Sequence, residues 1–352
     1  VTAAMISEEE RRSLLEDCEY WYGRSTGDII HRIEKEKFPW LHDWEESGLC
    51  LPQQTGGPPA NKHVNYGKVI EIGLEGIIQE AKDALAALEF GADSENDYKR
   101  DRFLNAVIIA CEGAIIFGKR HAALAREMAE KETDPRRRAE LETIAETCRR
   151  VPAKPARTFR EAIQCFWFQV LFLSPSTTLP GGRFDQYMYP YYKADLDAGR
   201  ITREEALELI CLLRLKDMEL NRTSGSELRK KNSGMAKWHN YTIGGVDPVT
   251  GEDATNDLTY LLIEAAMRTK TAHFTLTLRV HEHTPPELME KALECVRLGL
   301  GMPAFLGDRS YIATFTNKQV TFFDTTLFKL FFGEILLILL GFSWNSHLFD
   351  IQ

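Results

Sequence analysis

The stretch Leu179-Pro-Gly-Gly-Arg-Phe-Asp-Gln-Tyr-Met-Tyr-Pro-Tyr-Tyr192 is the feature from which the rest of the chain is best interpreted. Pro180, Gly181 and Gly182 interrupt regular structure, and an arginine, a carboxylate and four tyrosines follow within ten residues. An apolar run over 166–173 precedes the stretch, and an amphipathic helical pattern over 201–218 follows it. A polar, aromatic segment hinged on glycine between two buried elements is typical of a small-molecule site. A packed turn whose tyrosines cap a core explains the same residues equally well.

Strand and helix patterns alternate on the carboxyl-terminal side of this stretch. Residues 240–247 indicate a strand that ends in a glycine turn, and residues 274–281 alternate and are rich in β-branched side chains. Helical patterns lie between them, over 253–267, and after them, from Pro285. Helical periodicity dominates the first 150 residues. The sequence therefore predicts a helix-rich α/β protein whose strands run largely parallel, in a layer or a barrel.

Composition and charge narrow the possible functions. The 352 residues carry a net charge of −9, which argues against a nucleic-acid partner because a phosphate-binding surface is normally basic. The seven cysteines are scattered and never form a Cys-x-x-Cys pair, which argues against a local zinc or iron–sulfur site and against a disulfide scaffold. The chain begins without a secretory leader pattern. We expect a protein of the reducing cytoplasm.

A few polar residues stand out as candidates for binding a small molecule. His63 follows a loop rich in proline and glycine and precedes a helical pattern. Trp238 and His239 lead directly into the strand predicted at 240, where an indole and an imidazole could pack on a substrate. A hydrogen-bonded structural histidine and a sealed rim of the sheet are the alternative interpretations.

Two further patterns concern charge and metal binding. Arg279 lies within an apolar alternation, and a buried guanidinium requires a carboxylate from the protein or from a substrate. His281 and His283 have a spacing that resembles a metal pair, but no further ligands lie nearby, so we expect no metal. No nucleophile elbow, Walker loop or dinucleotide fingerprint is present.

Five segments, in order along the chain, carry a resemblance to a known family: Phe117-Gly-Lys-Arg-His121, Gly182-Arg-Phe-Asp-Gln-Tyr-Met-Tyr-Pro190, Asn240-Tyr-Thr-Ile-Gly-Gly-Val-Asp247, Gly251-Glu-Asp-Ala-Thr-Asn256 and Gly299-Leu-Gly-Met-Pro-Ala-Phe305. They resemble the signatures of glycyl radical enzymes, the pyruvate formate-lyase-like superfamily. The chain is more similar to the dehydratase, decarboxylase and succinate-synthase branches than to pyruvate formate-lyase itself. The resemblance predicts a pyruvate formate-lyase-like domain over residues 1–320 and an unrelated apolar tail over 321–352.

The resemblance implies a fold and a mechanism. The family folds as a barrel of two five-stranded parallel half-sheets wrapped by helices, of which this chain would contain the incomplete first part. A partner iron–sulfur activating enzyme uses S-adenosylmethionine to install a glycyl radical, and a thiyl radical on a cysteine then abstracts a substrate hydrogen. The family thus implies an anaerobic enzyme that holds no bound cofactor, takes a small-molecule substrate and forms a homodimer.

The resemblance also implies site residues. His63 fits a Gly-His motif whose histidine faces substrate in glycerol-type dehydratases, although Lys62 replaces the glycine. Thr178 lies where those dehydratases place a substrate-contacting serine. Together with Trp238 and His239, chosen from their position, these residues make four predicted substrate-binding positions. We predict no catalytic residue and no metal ligand.

The reactive groups of the family are missing from this sequence. The thiyl cysteine belongs to a Gly-Cys-x-Glu loop shortly after an Asn-Lys-Gly-Val segment, whereas this chain reads Thr316-Asn-Lys-Gln-Val320 and has no cysteine over 321–352. The glycyl loop is absent too, and Cys295 lies on a helical pattern too early to replace the thiyl residue. We therefore expect a fragment of a glycyl radical lyase or dehydratase for a small polar or carboxylate substrate, inactive as it stands.

The apolar tail allows two interpretations. Its uncharged part over 335–346 has twelve residues, whereas a bilayer span needs about 20. We favour a shifted reading frame or a truncated gene over a tail anchor. The alternatives to the enzyme fragment are a catalytically dead protein that retains the pocket wall to bind a small metabolite, and a membrane-anchored fragment.

Overall fold

The computed structural model describes residues 7–40, 64–89, 91, 94–173, 180–220, 239–271 and 274–310. The chain divides into two compact units, one formed by 1–60 with 229–234 and the other by 61–228 with 235–352. His63, Thr178, Trp238, the segment Thr316–Val320 and the predicted apolar tail lie outside the described residues.

The described part of the first unit is a pair of helices, α1 (Glu8–Trp21) and α2 (Thr26–Lys37). Helix α2 begins after Ser25, whose hydroxyl oxygen accepts a hydrogen bond from the amide of Asp28 at 3.1 Å. This cap satisfies one of the backbone donors that a helix leaves free at its first turn.

Four helices begin the second unit: α3 (Tyr66–Ala86), α4 (Ser94–Lys131), α5 (Pro135–Arg150) and α6 (Phe159–Phe172). Asp134 caps α5 through the amide of Arg136, and Thr158 caps α6 through the amide of Glu161. Helix α3 packs against α4 and α6, and α4 packs against α5.

A kink in α3 receives the linker that follows α5. Gly73 adopts a φ of +70°, and a Cβ at this position would lie 2.5 Å from the carbonyl oxygen of Ala153, so only glycine fits. Because the helix opens here, the amide of Leu74 donates to the carbonyl of Pro152, and the amide of Ala156 donates to the carbonyl of Ile70, both at 2.9 Å. The linker is thereby fixed to the helix on both sides of the kink.

A four-stranded parallel sheet lies in the rest of the second unit. Its strands follow the order of the chain: β1 (Gly182–Arg183), β2 (Asn240–Gly244), β3 (Thr275–Val280) and β4 (Ala304–Gly307). Helices α7 (Phe184–Asp197) and α8 (Arg203–Glu219) follow β1, α9 (Asp257–Thr269) follows β2, and α10 (Pro286–Arg297) follows β3. The prediction of a helix-rich α/β fold with parallel strands is confirmed.

The two faces of the sheet differ in burial. Tyr241, Ile243, Leu276 and Leu278 share one face, are all at most 1% exposed and belong to the main hydrophobic core. The ring of Tyr241 stacks on that of Phe274 with centroids 3.3 Å apart. On the opposite face, Asn240, Thr242, Thr275 and Thr277 are half-buried or exposed, whereas Arg279 is buried. None of the helices within the described ranges combines the length and apolar character needed to cross a bilayer.

Candidate functional site

Residues close in sequence to the predicted site residues meet at the amino end of the sheet. The amide of Gly181, just before β1, donates to the carbonyl of Asn240, the first residue of β2, at 2.7 Å. The hydroxyl of Tyr187 donates to the carbonyl of Gly181 at 2.7 Å, and its ring stacks on that of Tyr66 with centroids 6.2 Å apart. The starts of β1, β2 and α3 are therefore in contact at one place.

His239 is the predicted site residue that lies within the described part of the chain. Its ring is fully buried, and its Nδ1 is hydrogen-bonded to Oδ1 of Asp217 in the last turn of α8. The carbonyl of His239 accepts from both the amide and the hydroxyl of Thr275, at 2.9 and 3.1 Å. These bonds fix the histidine at the position where β2 and β3 begin. His63, Thr178 and Trp238 remain predictions.

Tyr66, Asp217 and His239 each carry a buried side-chain atom that is not hydrogen-bonded within the described part of the chain. These atoms are the hydroxyl of Tyr66, Oδ2 of Asp217 and Nε2 of His239. Burial raises the pKa of the Tyr66 phenol well above its usual range, and the Asp217 carboxylate raises it further. At neutral pH this phenol therefore keeps its proton and remains a hydrogen-bond donor.

Arg214 supports the same end of the sheet from α8. Its Nη1 donates to the carbonyl of Phe274 at 2.7 Å, its Nε donates to the hydroxyl of Thr269 at 3.0 Å, and its guanidinium lies 5.1 Å from the centre of the Phe274 ring. Burial lowers the pKa of Arg214 to about 10, so the side chain stays charged at neutral pH. The start of β3 is thus held by a buried cation.

The open face of the sheet offers short polar side chains, whereas His239, two residues before Tyr241, lies on the core face with that tyrosine. Asn240, Thr242, Thr275 and Thr277 lie on this face because paired residues of neighbouring parallel strands point the same way. The hydroxyl of Thr277 donates to the side-chain oxygen of Asn240 at 3.0 Å. Hydroxyls and an amide can hydrogen-bond a small polar molecule, but they carry no charge with which to select an anion.

At the carboxyl end of the sheet, charged residues hold a backbone turn. Arg183 donates to the carbonyls of Gly244 and Val246 at 2.7 and 2.9 Å. One carboxylate oxygen of Asp185 accepts from the amide of Gly244 at 2.8 Å and from the hydroxyl of Thr259 at 2.7 Å. Arg183 on β1 and Asp185 on α7 therefore serve as scaffold residues that hold the turn after β2.

The carboxylate required by Arg279 comes from the protein. Asp308, just after β4, accepts from Nε of Arg279 at 2.5 Å and from the amide of Val246 at 2.9 Å. Both side chains are at most 2% exposed. The ion pair thus ties β3, the residue after β4 and the turn after β2 together.

His281 and His283 have no common ligand role in the structure. Nε2 of His281 lies 3.0 Å from a carboxylate oxygen of Asp253, and His283 is exposed. Across the ranges that the structure describes, no group of three or more histidine, cysteine and acidic side chains is placed to hold a metal ion.

Sequence reasoning missed Tyr66 and Asp217. Asp217 could have been found, because it continues the spacing of Ile210, Leu213 and Arg214 along one face of α8, and all four residues are buried. A carboxylate on an apolar helical stripe signals a buried partner. Tyr66 offered no such signal, since an aromatic residue at the start of a helix is usually part of the core.

An apolar cavity of about 390 Å³ lies elsewhere, between α3, α4 and α6. Val69, Val107 and Phe117 are among its lining residues, and Gln169 contributes a buried amide. It lacks the convergent polar groups that distinguish the amino end of the sheet, so we place the candidate site at that end.

Comparison with known proteins gives consistent matches. Residues 2–327 match the family described as pyruvate formate lyase-like. The isethionate sulfite-lyase of Desulfovibrio desulfuricans is 35% identical over 91% of this chain and 40% of its own length. The (2S)-3-sulfopropanediol dehydratase of Klebsiella oxytoca is 34% identical over 90% of this chain and 38% of its own.

A solved structure shows the same likeness in three dimensions. The glycerol-bound B12-independent glycerol dehydratase of Clostridium butyricum superimposes with a TM-score of 0.81 and 34% identity, over 91% of this chain and 40% of that one. The chain therefore spans about 40% of the length of these relatives.

Proposed function

The chain belongs to the pyruvate formate lyase-like family of glycyl radical enzymes, and from this premise we propose that it forms part of a lyase or dehydratase for a small polar substrate. Isethionate, sulfopropanediol and glycerol, which appear in the names of the relatives, are all small molecules with a hydroxyl group. We assign the substrate wall to His63, Thr178, Trp238 and His239.

One observation supports this assignment above the others. The described neighbours of these four positions meet at the amino end of β1 and β2, where the hydroxyl of Tyr187, the carbonyl of Gly181 and the backbone of Asn240 form one connected set of hydrogen bonds. We therefore propose that three chain segments far apart in sequence, which carry these four residues, contribute to one site.

The described cysteines do not fit the radical step. Cys111 and Cys165 are buried on helices of the core, out of reach of a substrate on the open face of the sheet. Cys295 is buried on α10, away from the open face of the sheet. We therefore derive no radical step from these residues and propose that residues 1–352 alone do not turn over substrate. The activating enzyme and a homodimeric state belong to the same proposal.

Ligand binding to the full 352-residue chain tests the proposal. Glycerol, propane-1,2-diol, isethionate and hydroxyproline are added in a thermal-shift assay, confirmed by calorimetric titration. A ligand present at 100 times its Kd stabilises the folded state by about 2.7 kcal/mol, which raises the melting temperature measurably. His63→Ala and Thr178→Ala should abolish the shift. His283→Ala, which removes an exposed histidine, is the matched control.

The absence of any shift across this panel would contradict the proposal. A shift that survives both wall substitutions would reject the assigned residues while leaving ligand binding in place.

A binding protein without catalysis is the second candidate, favoured by the core position of Cys111, Cys148, Cys165 and Cys295. Adding an activating enzyme, S-adenosylmethionine and a ligand that binds separates the two functions. Product formation, or a glycyl radical signal in electron paramagnetic resonance, would exclude a purely binding role and would also contradict the proposed inactivity of the isolated chain.

A further inference from the structure

The apolar cavity between α3, α4 and α6 is large enough for a small molecule and opens toward solvent. Its volume is about 390 Å³, whereas an apolar cavity of about 150 Å³ already holds benzene. Ala110 and Gly113 on α4 line the cavity and are exposed, so they lie at its entrance. A Cβ at Gly113 would have no atom within 4 Å, so the space beside this turn of α4 is open. The cavity therefore has both room for a ligand and a way in.

Gln169 on α6 contributes an amide group to the cavity wall. The residue is 4% exposed, and its Nε2 donates to the carbonyl of Cys165 at 3.3 Å. Its Oε1 is buried and has no hydrogen-bond partner among the described residues. The terminal torsion of a glutamine is soft, so this oxygen can turn toward the cavity while the rest of the side chain stays in place. Because buried amide oxygens are normally hydrogen-bonded, Oε1 requires a donor from the molecule that fills the cavity.

The composition of the wall limits which molecule this is. The other described lining residues are valine, leucine, phenylalanine, alanine, glycine and one cysteine, and none of them is charged. A charged molecule would lose its hydration without gaining a partner. An isolated water molecule needs about two to four polar partners, and Oε1 gives it one. A purely apolar molecule would fill the cavity but leave Oε1 unpaired. An apolar molecule with a single donor meets both requirements.

We propose that this cavity binds a small apolar molecule of about ten carbon atoms with one hydrogen-bond donor, such as an aromatic alcohol, and that Oε1 of Gln169 accepts the hydrogen bond. The described lining contains neither His239 nor a residue of the sheet, so the proposal goes beyond the proposed function. The wall has no charge with which to hold an anion such as isethionate and too little polar surface for glycerol.

Two probes of nearly equal size test the site on the full 352-residue chain. 1-Naphthol and 1-methylnaphthalene differ in a hydroxyl group that takes the place of a methyl group. Both fluoresce, so each is titrated by fluorescence, with the rise in melting temperature as a second readout. We expect both to bind, because both remove the apolar wall from water, and only 1-naphthol to donate to Oε1. Isethionate and glycerol, added in excess, should displace neither probe.

Gln169→Met tests the hydrogen bond. Methionine keeps the length of the side chain but removes the acceptor, so the ratio of the affinity for 1-naphthol to that for 1-methylnaphthalene should fall about fivefold or more. Effects of the substitution on folding and packing act on both probes and cancel in this ratio. Gln79→Met, at an exposed glutamine on α3, is the matched control and should leave the ratio unchanged.

Gly113→Leu tests the cavity itself. Open space surrounds this helical position, so leucine should fold at least as well as glycine, and its side chain at the entrance should weaken the binding of both probes about tenfold or more. Glu112→Leu places the same side chain at the neighbouring exposed position, which is not among the lining residues. This control should leave both affinities unchanged.

Each failure has a distinct meaning. If neither probe binds, or if Gly113→Leu leaves both affinities intact, the cavity is not a binding site. A ratio of affinities that is unchanged in Gln169→Met would overturn the role of Oε1 and with it the proposed class of ligand. Displacement of either probe by isethionate or glycerol would overturn a site separate from the substrate wall. The thermal shifts expected with hydroxylated substrates do not depend on any of these results.

Discussion

Removing one charge of the Arg279–Asp308 ion pair should destabilise the second unit more than removing both charges. The pair joins β3 to the residue after β4, with Nε of Arg279 donating to Asp308 at 2.5 Å and both side chains at most 2% exposed. The second carboxylate oxygen of Asp308 accepts from the amide of Val246 at 2.9 Å. Removal of either partner leaves the other as a buried charge.

The expected magnitudes follow from these contacts. Asp308→Asn keeps an acceptor for Val246 but removes the carboxylate that pairs with Nε of Arg279, which costs about 3–5 kcal/mol of unfolding free energy. Asp308→Leu also removes the acceptor of the Val246 amide and adds about 1–3 kcal/mol. Arg279→Met should cost about as much as Asp308→Asn. The double variant Arg279→Met with Asp308→Asn contains neither charge and should lie within about 2 kcal/mol of the unsubstituted chain.

Urea unfolding, followed by circular dichroism, is measured for the unsubstituted chain, Arg279→Met, Asp308→Asn and the double variant, which together form a double-mutant cycle. Hydrogen exchange at the amide of Val246 shows where in the structure the loss of stability occurs. The coupling energy should be at least about 3 kcal/mol, and salt should change it little because the pair is excluded from solvent. Single substitutions that each cost less than about 1 kcal/mol and add up in the double variant would refute the claim that this is a desolvated pair.

Three other predictions use the same unfolding assay. Gly245→Ala should cost about 2–4 kcal/mol of unfolding free energy, because φ is +82° and the new Cβ would lie 2.8 Å from the Cβ of Arg279. Gly251→Ala, where φ is +75° but the surrounding space is open, should cost only about 1–2 kcal/mol. Equal losses for the two variants would contradict the crowding at Gly245. Thr202→Ala should cost about 1 kcal/mol by removing the capping box of α8, and Thr202→Ser should restore it; a serine variant no better than alanine would count against the cap. Burial raises the pKa of Asp185 above 3.8, so its contribution to stability is fully present below pH 3.8 and is lost as the pH rises through the folded-state pKa. The stability of the unsubstituted chain relative to Asp185→Asn should therefore fall with rising pH, and a flat or rising difference would contradict this sign.

The sequence predicted the elements of the sheet where a single periodicity is strong. The alternation over 274–281 corresponds to β3, and the residues before the glycine turn at 244 correspond to β2. It failed where local patterns compete. Phe184–Asp197 is a helix despite Pro190 and its tyrosines, whereas the sequence pattern indicates a turn or a ligand site. The four residues of β4 are too few to establish a period.

Partner identities were harder to predict than elements. Burial of Arg279 required a carboxylate, but the chain contains 52 acidic residues, and only the pairing of β3 with β4 brings Asp308 to it. His239 was chosen as a site residue from its position before a strand, yet its contact with Asp217 depends on how α8 packs. Contacts of this kind are set by tertiary structure, which no local sequence window contains.

Buried polar atoms without a hydrogen-bond partner among the described residues lie at both ends of the sheet, so their number does not single out one end. In open α/β sheets, ligands usually bind beyond the carboxyl ends of the strands. At that end, Arg183 and Asp185 each retain one unpaired buried atom, but each side chain also makes two hydrogen bonds that hold a turn or a neighbouring helix. At the amino end, the hydroxyl of Tyr66 makes no bond among the described residues.

A buried hydroxyl without a hydrogen-bond partner lowers the free energy of unfolding, and Tyr66→Phe would remove this penalty. The packing of the Tyr66 ring therefore does not require its hydroxyl. Tyr66→Phe should leave the chain as stable as before, or more stable by about 1 kcal/mol. A large loss of stability would show that the hydroxyl serves the fold.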